Sequence, residues 1–475
     1  MDNGSSPPPA ADTVDLTSLI DDGPMRPFQW RVVTLCALAA ALEGFDLQLA
    51  GSLAPAISAS LKIPPSAFGT ILAAGFLGVA VGSVVFGRAA DKFGRKWTIV
   101  ASTLIFAVFT LLTPFLAQTQ GELSALRFLA GIGIGGVIPN VLALTAEYAP
   151  ARRRAFILNL MYVGFPLGGV ILGFIASLYI DSWGWRTFFV VGAILPLVVS
   201  VLLIAGLPES ATFLVLKNAG SARIEHIARR LTGQPSSRDT ETHTFTVQEQ
   251  RSARGSMSEL FSNGLRSITI LVWAILFLSL GSIIFVVSWL PTIMKANGLS
   301  LSNAVLLPSM FSLGGIFGSL LIGRCIDRIG TYLTLSTSFL LAGVAMALYG
   351  PLGHSLSGLL VVAAVSGVFL VGAQAGMNAL VASMYPADLR ATGLGAALGV
   401  GRLGSVIAPA IGGWMVGAHW QATTVFYTVA ASQVAAAILV VLAQSSERRR
   451  RATQPNAELV TATAPYKRRQ YSGQS

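Results

Sequence analysis

The stretch Leu42-Glu43-Gly44-Phe45-Asp46-Leu47-Gln48 puts two carboxylates inside an apolar run, Val32 to Ile57, that is long enough to span a membrane. Residues three apart share a helix face, about 60° apart around the axis and ~4.5 Å along it. An acid at bilayer depth costs roughly 3 kcal/mol on insertion scales and several more on simulation scales, so two on one helix need a reason. Two like charges in a poorly solvating setting favour a state in which one holds a proton near neutral pH. Such a pair can load a proton from one side and release it to the other. The opposite charges are Arg127, near the outer end of a later apolar run, and Arg402, about twelve residues into another. A guanidinium stays ionised and matches a carboxylate with two parallel bonds. If all four groups are ionised the site sums to −2 + 2 = 0. Protonating one acid makes it +1, which an incoming carboxylate would neutralise. The competing reading is that the acids pair with the arginines to fix helix packing. Arg127 lies close enough to the interface to snorkel, whereas Arg402 lies too deep to do so easily.

Composition says what must position these groups. The chain has 475 residues, is 53% hydrophobic and only 11% charged, against about 25% charged in soluble domains. Its apolar residues fall in runs at about 28–52, 67–87, 97–117, 123–146, 155–179, 186–206, 267–290, 302–323, 332–351, 356–382, 391–417 and 420–443. Each reaches or approaches the roughly 20 residues a helix needs to cross hydrocarbon. The expected fold class is therefore an all-α membrane protein of twelve transmembrane helices. The net charge of +11 is a topology signal and not a nucleic-acid footprint. Arg88, Lys92, Arg95, Lys96, Arg152, Arg153, Arg154, Arg324, Arg328, Arg390 and the run Arg448 to Arg451 fall on one side, against Lys62, Arg186 and Lys295 on the other. By the positive-inside rule both termini face the cytoplasm.

Residues 1–27 carry no basic n-region and read as a disordered cytoplasmic tail, not a cleaved signal. The polar stretch 207–266 divides the chain into a first bundle at 28–206 and a second at 267–443, with a tail at 444–475. Its basic run Ala222-Arg-Ile-Glu-His-Ile-Ala-Arg-Arg-Leu231 looks helical. GRAADKFGRK begins at Gly87 and GRCIDRIG at Gly323, and 323 − 87 = 236. PARRRA begins at Pro150 and PADLRA at Pro386, and 386 − 150 is again 236. Two loops sharing one offset indicate a parallel repeat of six helices, an arrangement in which one half rocks against the other around a midplane site.

GRAADKFGRK resembles the signature between the second and third helices of the major facilitator superfamily, and GRCIDRIG is similar to its weaker echo. LEGFDLQLAG, RFLAGIGIGGVIPNVLALTAEYAP, LMYVGFPLGG, LPES and RATGLGAALGVGRLGSVIAPAIGG resemble the aromatic acid/proton symporters within it. Many members of that family carry Asp-Gly-x-Asp in the first span. The Glu-Gly-Phe-Asp-Leu-Gln found here is similar to the 3-(3-hydroxyphenyl)propionate carriers. The glutamine-rich seventh-helix signature of sugar porters is missing, and GFPLGG only approximates the Gly-Pro pair of drug antiporters.

The resemblance implies the major facilitator fold in two six-helix bundles and import of an aromatic carboxylate with protons by alternating access. 3-(3-Hydroxyphenyl)propionate or a close analogue is the favoured substrate. The alternatives are benzoate, a hydroxybenzoate or another organic anion, then a drug/proton antiporter or a sensor without flux. Glu43, Asp46 and Arg127 are the expected proton-coupling residues. Arg402, Phe45, Asn140, Tyr162, Gln374 and Asn378 are the expected substrate contacts, Arg402 for the carboxylate and the others for ring and hydroxyl. Gly87, Asp91, Gly94, Arg95, Glu147, Arg154, Asp327 and Arg390 are the expected cytoplasmic gate. No nucleophile–base pair, metal-ligand spacing or phosphate loop stands out, so no enzyme activity, metal or cofactor is expected. The expected partners are the small carboxylate, protons and the lipid bilayer, with no nucleic acid. The chain is expected to work as a monomer in a bacterial inner membrane.

Overall fold

Hydrocarbon offers no partner for a backbone N–H or C=O, so each crossing must satisfy its own backbone as a helix. The computed structural model describes residues 13–217, 221–232, 244–246, 256–262, 264–353, 355–386 and 388–453. Twelve crossings are present among them. The first four are Pro27–Leu61, Phe68–Phe93, Arg95–Leu116 and Gln120–Tyr148. The fifth begins at Arg154–Tyr162 and continues into Gly164–Gly206, a helix broken at Gly184 (φ 71°, ψ 164°), after which the sixth runs out. The seventh to twelfth are Arg266–Ala296, Leu306–Ile329, Thr331–Ala347, Leu356–Met384, Arg390–Gly417 and Ala422–Thr453. The twelfth runs ten residues past 443, into the stretch the sequence assigns to a tail.

The 236-residue offset reappears in the packing. A Cβ on Gly78 would lie 2.1 Å from the Phe128 carbonyl oxygen, and one on Gly314 would lie 1.9 Å from that of Ala364. Here 314 − 78 and 364 − 128 both equal 236. The second helix meets the fourth, and the eighth meets the tenth, backbone against backbone, as small residues allow in membranes. The turn glycines follow suit: Gly94 (φ 93°, ψ 159°) and Gly330 (φ 88°, ψ 158°) are 236 apart and share a conformation open essentially to glycine alone.

The halves touch only toward one side in the close approaches and side-chain hydrogen bonds of the described residues. A Cβ on Gly51 would meet the Ser288 Cα at 2.9 Å, and one on Gly69 the Gly413 Cα at 2.8 Å. Ser302 bonds Asp181, and Ser309 donates to the Gly169 carbonyl at 3.1 Å. All of these lie in the parts of the helices remote from the termini. Toward the termini, Gly87, Gly323, Gly395 and Gly399 face open space. The molecule is thus sealed on the far side and parted on the terminus side.

One expectation fails at the N-terminus. Thr13–Asp15 pairs in parallel with Thr244–Thr246 of the linker, and Leu16–Asp22 is a helix capped by Asp15. Leu16 and Ile20 are buried with Ile224, Ile227, Ala228 and Leu231 of the linker helix Ser221–Thr232. The physical reason is apolar area: the tail carries a hydrophobic face that the amphipathic linker helix can cover. Residues 1–12, 218–220, 233–243, 247–255, 263 and 454–475, which complete the expected tails and linker, lie outside the described residues.

Gly330→Ala is expected to cost about 1–3 kcal/mol from backbone strain alone. Gly94→Ala is expected to cost more, because its Cβ would also fall 2.4 Å from the Glu209 carboxylate. Thermal unfolding of the two purified variants in one detergent checks the order.

Candidate functional site

The first span carries its two acids in different settings. Asp46 is fully buried and pairs with Arg127 of the fourth span, Nη2 to Oδ2 at 2.6 Å. Thr110 of the third span donates its hydroxyl to Asp46 Oδ1 at 2.6 Å. Arg127 also reaches the Asp46 main-chain carbonyl at 3.4 Å and lies 5.7 Å from the centre of the Phe189 ring. It is only 5% exposed, so it does not snorkel. Asp46 and Arg127 form a sequestered pair inside the first half, with the third, fourth and sixth spans closed around them.

Glu43 is buried, yet it makes no ion pair within 4.0 Å among the described residues, and its Oε2 has no hydrogen-bond partner. The charges of Arg402 and Asp46 act on it, and its carboxyl lies against the Ile138 backbone. Tyr162 stands in the field of both Glu43 and Arg402 and stacks on Phe165, centroids 5.8 Å apart and planes 15° apart. Gly44 makes this possible: its missing Cβ would lie 1.9 Å from the Phe165 carbonyl oxygen. That contact presses the first span onto the fifth, just where the aromatic pair sits. Glu43 and Tyr162 belong to one half and Arg402 to the other, so the 44% exposure of Tyr162 opens onto the gap between the halves. Arg402 is half-buried and, like Glu43, lacks an ion pair among the described residues.

The remaining expected substrate contacts separate. Phe45 is buried in the core, where its ring faces Gly192 of the sixth span. One residue on from Gly44, the helix turns this side chain toward the sixth span. Asn140 is buried and spends its amide on the Gly136 carbonyl of its own helix at 2.7 Å. Gln374 accepts a hydrogen bond from Ser279 of the seventh span at 2.7 Å. Asn378, one turn nearer the terminus side, is exposed.

The expected gate is assembled only in part. Arg95 pairs with Glu147 at 3.1 Å, and Ser210 donates to the same carboxylate at 2.6 Å. Glu209 Oε1 accepts from the Lys96 backbone N–H at 3.0 Å, so it caps the third helix beside Gly94. Glu209 and Ser210 come from the LPES stretch. Arg154 pairs not with another gate residue but with Asp21 of the N-terminal helix, at 2.8 Å. Asp91, Asp327 and Arg390 are exposed, and Gly87 faces open space. None of these four meets the opposite half, because the molecule is parted on that side.

Sequence reasoning missed Thr110, Phe189, Asp21 and the capping role of Glu209. A threonine in FTLLTPF and a phenylalanine in TFFVV carry no mark of the charge they meet. Glu209 lies in the LPES stretch, and an acid three residues past an apolar span is a signal for a helix N-terminus nearby.

Twelve helices in two repeated halves, parted on one side around an unpaired acid, an arginine and an aromatic pair, define a membrane transporter. The sequence pattern of the Major Facilitator Superfamily matches residues 36–355 and, in a second match, 272–471. The chain belongs to that superfamily and, within it, to the aromatic acid/proton symporter family. It is 33% identical to the 4-hydroxybenzoate transporter PcaK of Pseudomonas aeruginosa over 415 residues, 87% of this chain and 92% of the relative. It is 32% identical to the 3-(3-hydroxy-phenyl)propionate transporter of Escherichia coli over 389 residues, 81% and 86% respectively. A gallate transporter of Pseudomonas putida is 33% identical over 407 residues, 86% of this chain and 90% of the relative. Overall identity therefore does not single out the hydroxyphenylpropionate carriers. Among solved structures, the inward-open xylose transporter XylE of E. coli superposes with a TM-score of 0.68 at 16% identity, covering 86% of this chain and 95% of that one.

Removing one partner of a buried pair strands the other charge, at about 3–5 kcal/mol. Arg127→Met should therefore destabilise the protein severely, and Asp46→Asn combined with Arg127→Met should recover most of the loss. Thermal unfolding of the single and double variants, completed as a mutant cycle, measures this.

Proposed function

We propose that the protein imports a hydroxylated aromatic carboxylate together with protons, by alternating exposure of the space between its halves. The observation that carries this reading is the Glu43–Tyr162–Arg402 group. It holds a guanidinium without an ion pair to receive a carboxylate, a stacked aromatic pair to receive a ring, and a carboxyl to hold or release the proton. The anion is favoured only once the proton has arrived, because protonation leaves the site with an unmatched positive charge. Asp46 and Arg127 set the level of that charge from inside the first half, Thr110 holding the carboxylate in place.

The charge asymmetry of the loops supports cytoplasmic termini, in the inner membrane of a bacterium. On that reading the structure is an inward-open state. Asp91, Asp327 and Arg390 are then latch residues released in this state and engaged when the outer side opens. Residues 28–206 and 267–443 move as the two bundles, with Gln374 and Asn378 on the wall of the second. The chain works as a monomer, without metal or cofactor.

The Glu-Gly-Phe-Asp-Leu-Gln stretch makes 3-(3-hydroxyphenyl)propionate the first substrate to test. The similarity to 4-hydroxybenzoate transporters favours 4-hydroxybenzoate as the second reading. Proteoliposomes are loaded with and without an inward proton gradient, and uptake of labelled 3-(3-hydroxyphenyl)propionate is followed with 4-hydroxybenzoate and benzoate as competitors. Gradient-driven accumulation is expected, and the competition order identifies the substrate. Absence of flux for every aromatic acid would sink the proposal.

Two variants separate the roles. Arg402→Ala should weaken uptake at least tenfold through a raised KM, given the roughly 2–5 kcal/mol lost when one side of a buried charge pair is cut. Glu43→Gln should keep exchange of substrate across the membrane while losing accumulation driven by the gradient. If Glu43→Gln still concentrates substrate, the coupling role belongs to another residue.

A further inference from the structure

Two residues beyond Asp46 the first span presents Gln48, about 200° further around the helix, and therefore to a different set of neighbours. Gln48 is buried at 4% exposure. Its Nε2 donates to Ser312 Oγ of the eighth span at 3.4 Å, a bond across the halves that is longer than the usual range and so weak. Its amide lies on Gly169 of the fifth span, where a Cβ would fall 1.8 Å from Nε2. The Gly169 carbonyl itself accepts from Ser309, one turn before Ser312. Gln48 Oε1 has no hydrogen-bond partner.

This arrangement is the innermost contact of the sealed side, and it contains an unmet polar atom. A weak bond returns little, whereas a buried acceptor left without a donor costs its full desolvation. Opening the sealed side would return that oxygen to water. We propose that Gln48 is a positioning residue of the transport cycle, a gate contact that penalises closure of this side and so keeps it ready to reopen. The same helical turn is held by Arg127 and Thr110 through Asp46 and by the other half through Gln48. A change at the ion pair therefore reaches the gate through a single turn of backbone.

The proposal predicts opposite effects from two substitutions at one contact. Gln48→Met removes both amide atoms, the unmet Oε1 among them, for the loss of one weak bond to the Ser312 hydroxyl, which can turn to a carbonyl of its own helix, and it keeps an unbranched side chain over Gly169, so it favours the sealed state. Ser312→Ala strands the Nε2 group as well, so it disfavours the sealed state. A merely structural contact would shift both variants the same way.

The readout is a cysteine at Thr292, one turn from Ser288, whose backbone presses on Gly51. Thr292 is buried while this side is closed. The full chain carries Thr292→Cys with Cys36 and Cys325 changed to Ala, in membranes with the sealed side exposed to a membrane-impermeant maleimide and no substrate present. Labelling should slow about fivefold with Gln48→Met and quicken about fivefold with Ser312→Ala, the low end expected for one stranded buried group. Gln48→Leu repeats the first arm should the methionine variant fail to fold. Equal rates, or shifts in the same direction, would overturn the proposal. Because no substrate enters the assay, its failure is distinguishable from failure of the substrate reading.

Discussion

A carboxylate surrounded by hydrocarbon is stable only where another part of the chain answers its charge, and the Asp46–Arg127 pair is that answer for the first half. It draws the first, third, fourth and sixth spans together through Thr110, Arg127 and Phe189. Pairing in a low-dielectric interior is strong, but it has to offset the desolvation of both ions, so such a pair is weak evidence for net stability. What it does provide is register: Arg127 reaches Asp46 Oδ2 and the carbonyl behind it only when the helices are set at one height. With that height set, Gly44 meets Phe165 and Glu43 comes to face Tyr162.

The two acids therefore divide the work by environment and not by residue type. Asp46 has two side-chain partners, and Glu43 has none that bonds it on Oε2. A group already satisfied holds structure. Glu43 is left incomplete beside the seam between the halves, in the field of Arg402. The same division appears at the gates. The Arg95–Glu147–Ser210 and Glu209–Lys96 contacts are internal to one half. The contacts of Gln48, Ser302 and Ser309 cross the seam.

Backbone contact through glycine explains how one fold holds together and still moves. Within each half, Gly78 and Gly314 let helices touch at van der Waals distance over apolar surfaces that lipid would cover equally well. Between halves the sealed side uses similar close approaches at Gly51 and Gly69, in the parts of the helices remote from the termini. The energy that keeps a half rigid is thus spread along whole helices. The close approaches and side-chain hydrogen bonds that join the halves among the described residues lie on the far side alone.

Much of this was legible in the chain itself. Hydropathy alone sets twelve crossings, because the bilayer demands about 20 apolar residues for each. The 236-residue offset shows the repeat because the same turn geometry needs the same glycines at Gly94 and Gly330. Charged residues in apolar runs stand out because each is costly at bilayer depth, which singled out Glu43, Asp46, Arg127 and Arg402 before any contact was known. Which acid takes which arginine was not legible: spacing places Glu43 and Asp46 on one face but says nothing of the helices opposite. Nor was the fate of Phe45 and Asn140, whose direction depends on Gly192 and on a carbonyl of Asn140's own helix. The N-terminal segment looked like a tail because its partner, the linker helix, lies some two hundred residues away in sequence. Local pattern follows from the solvent each residue must satisfy, and the chain writes that out directly. Partner choice follows from which surfaces meet, and only the packed structure decides it.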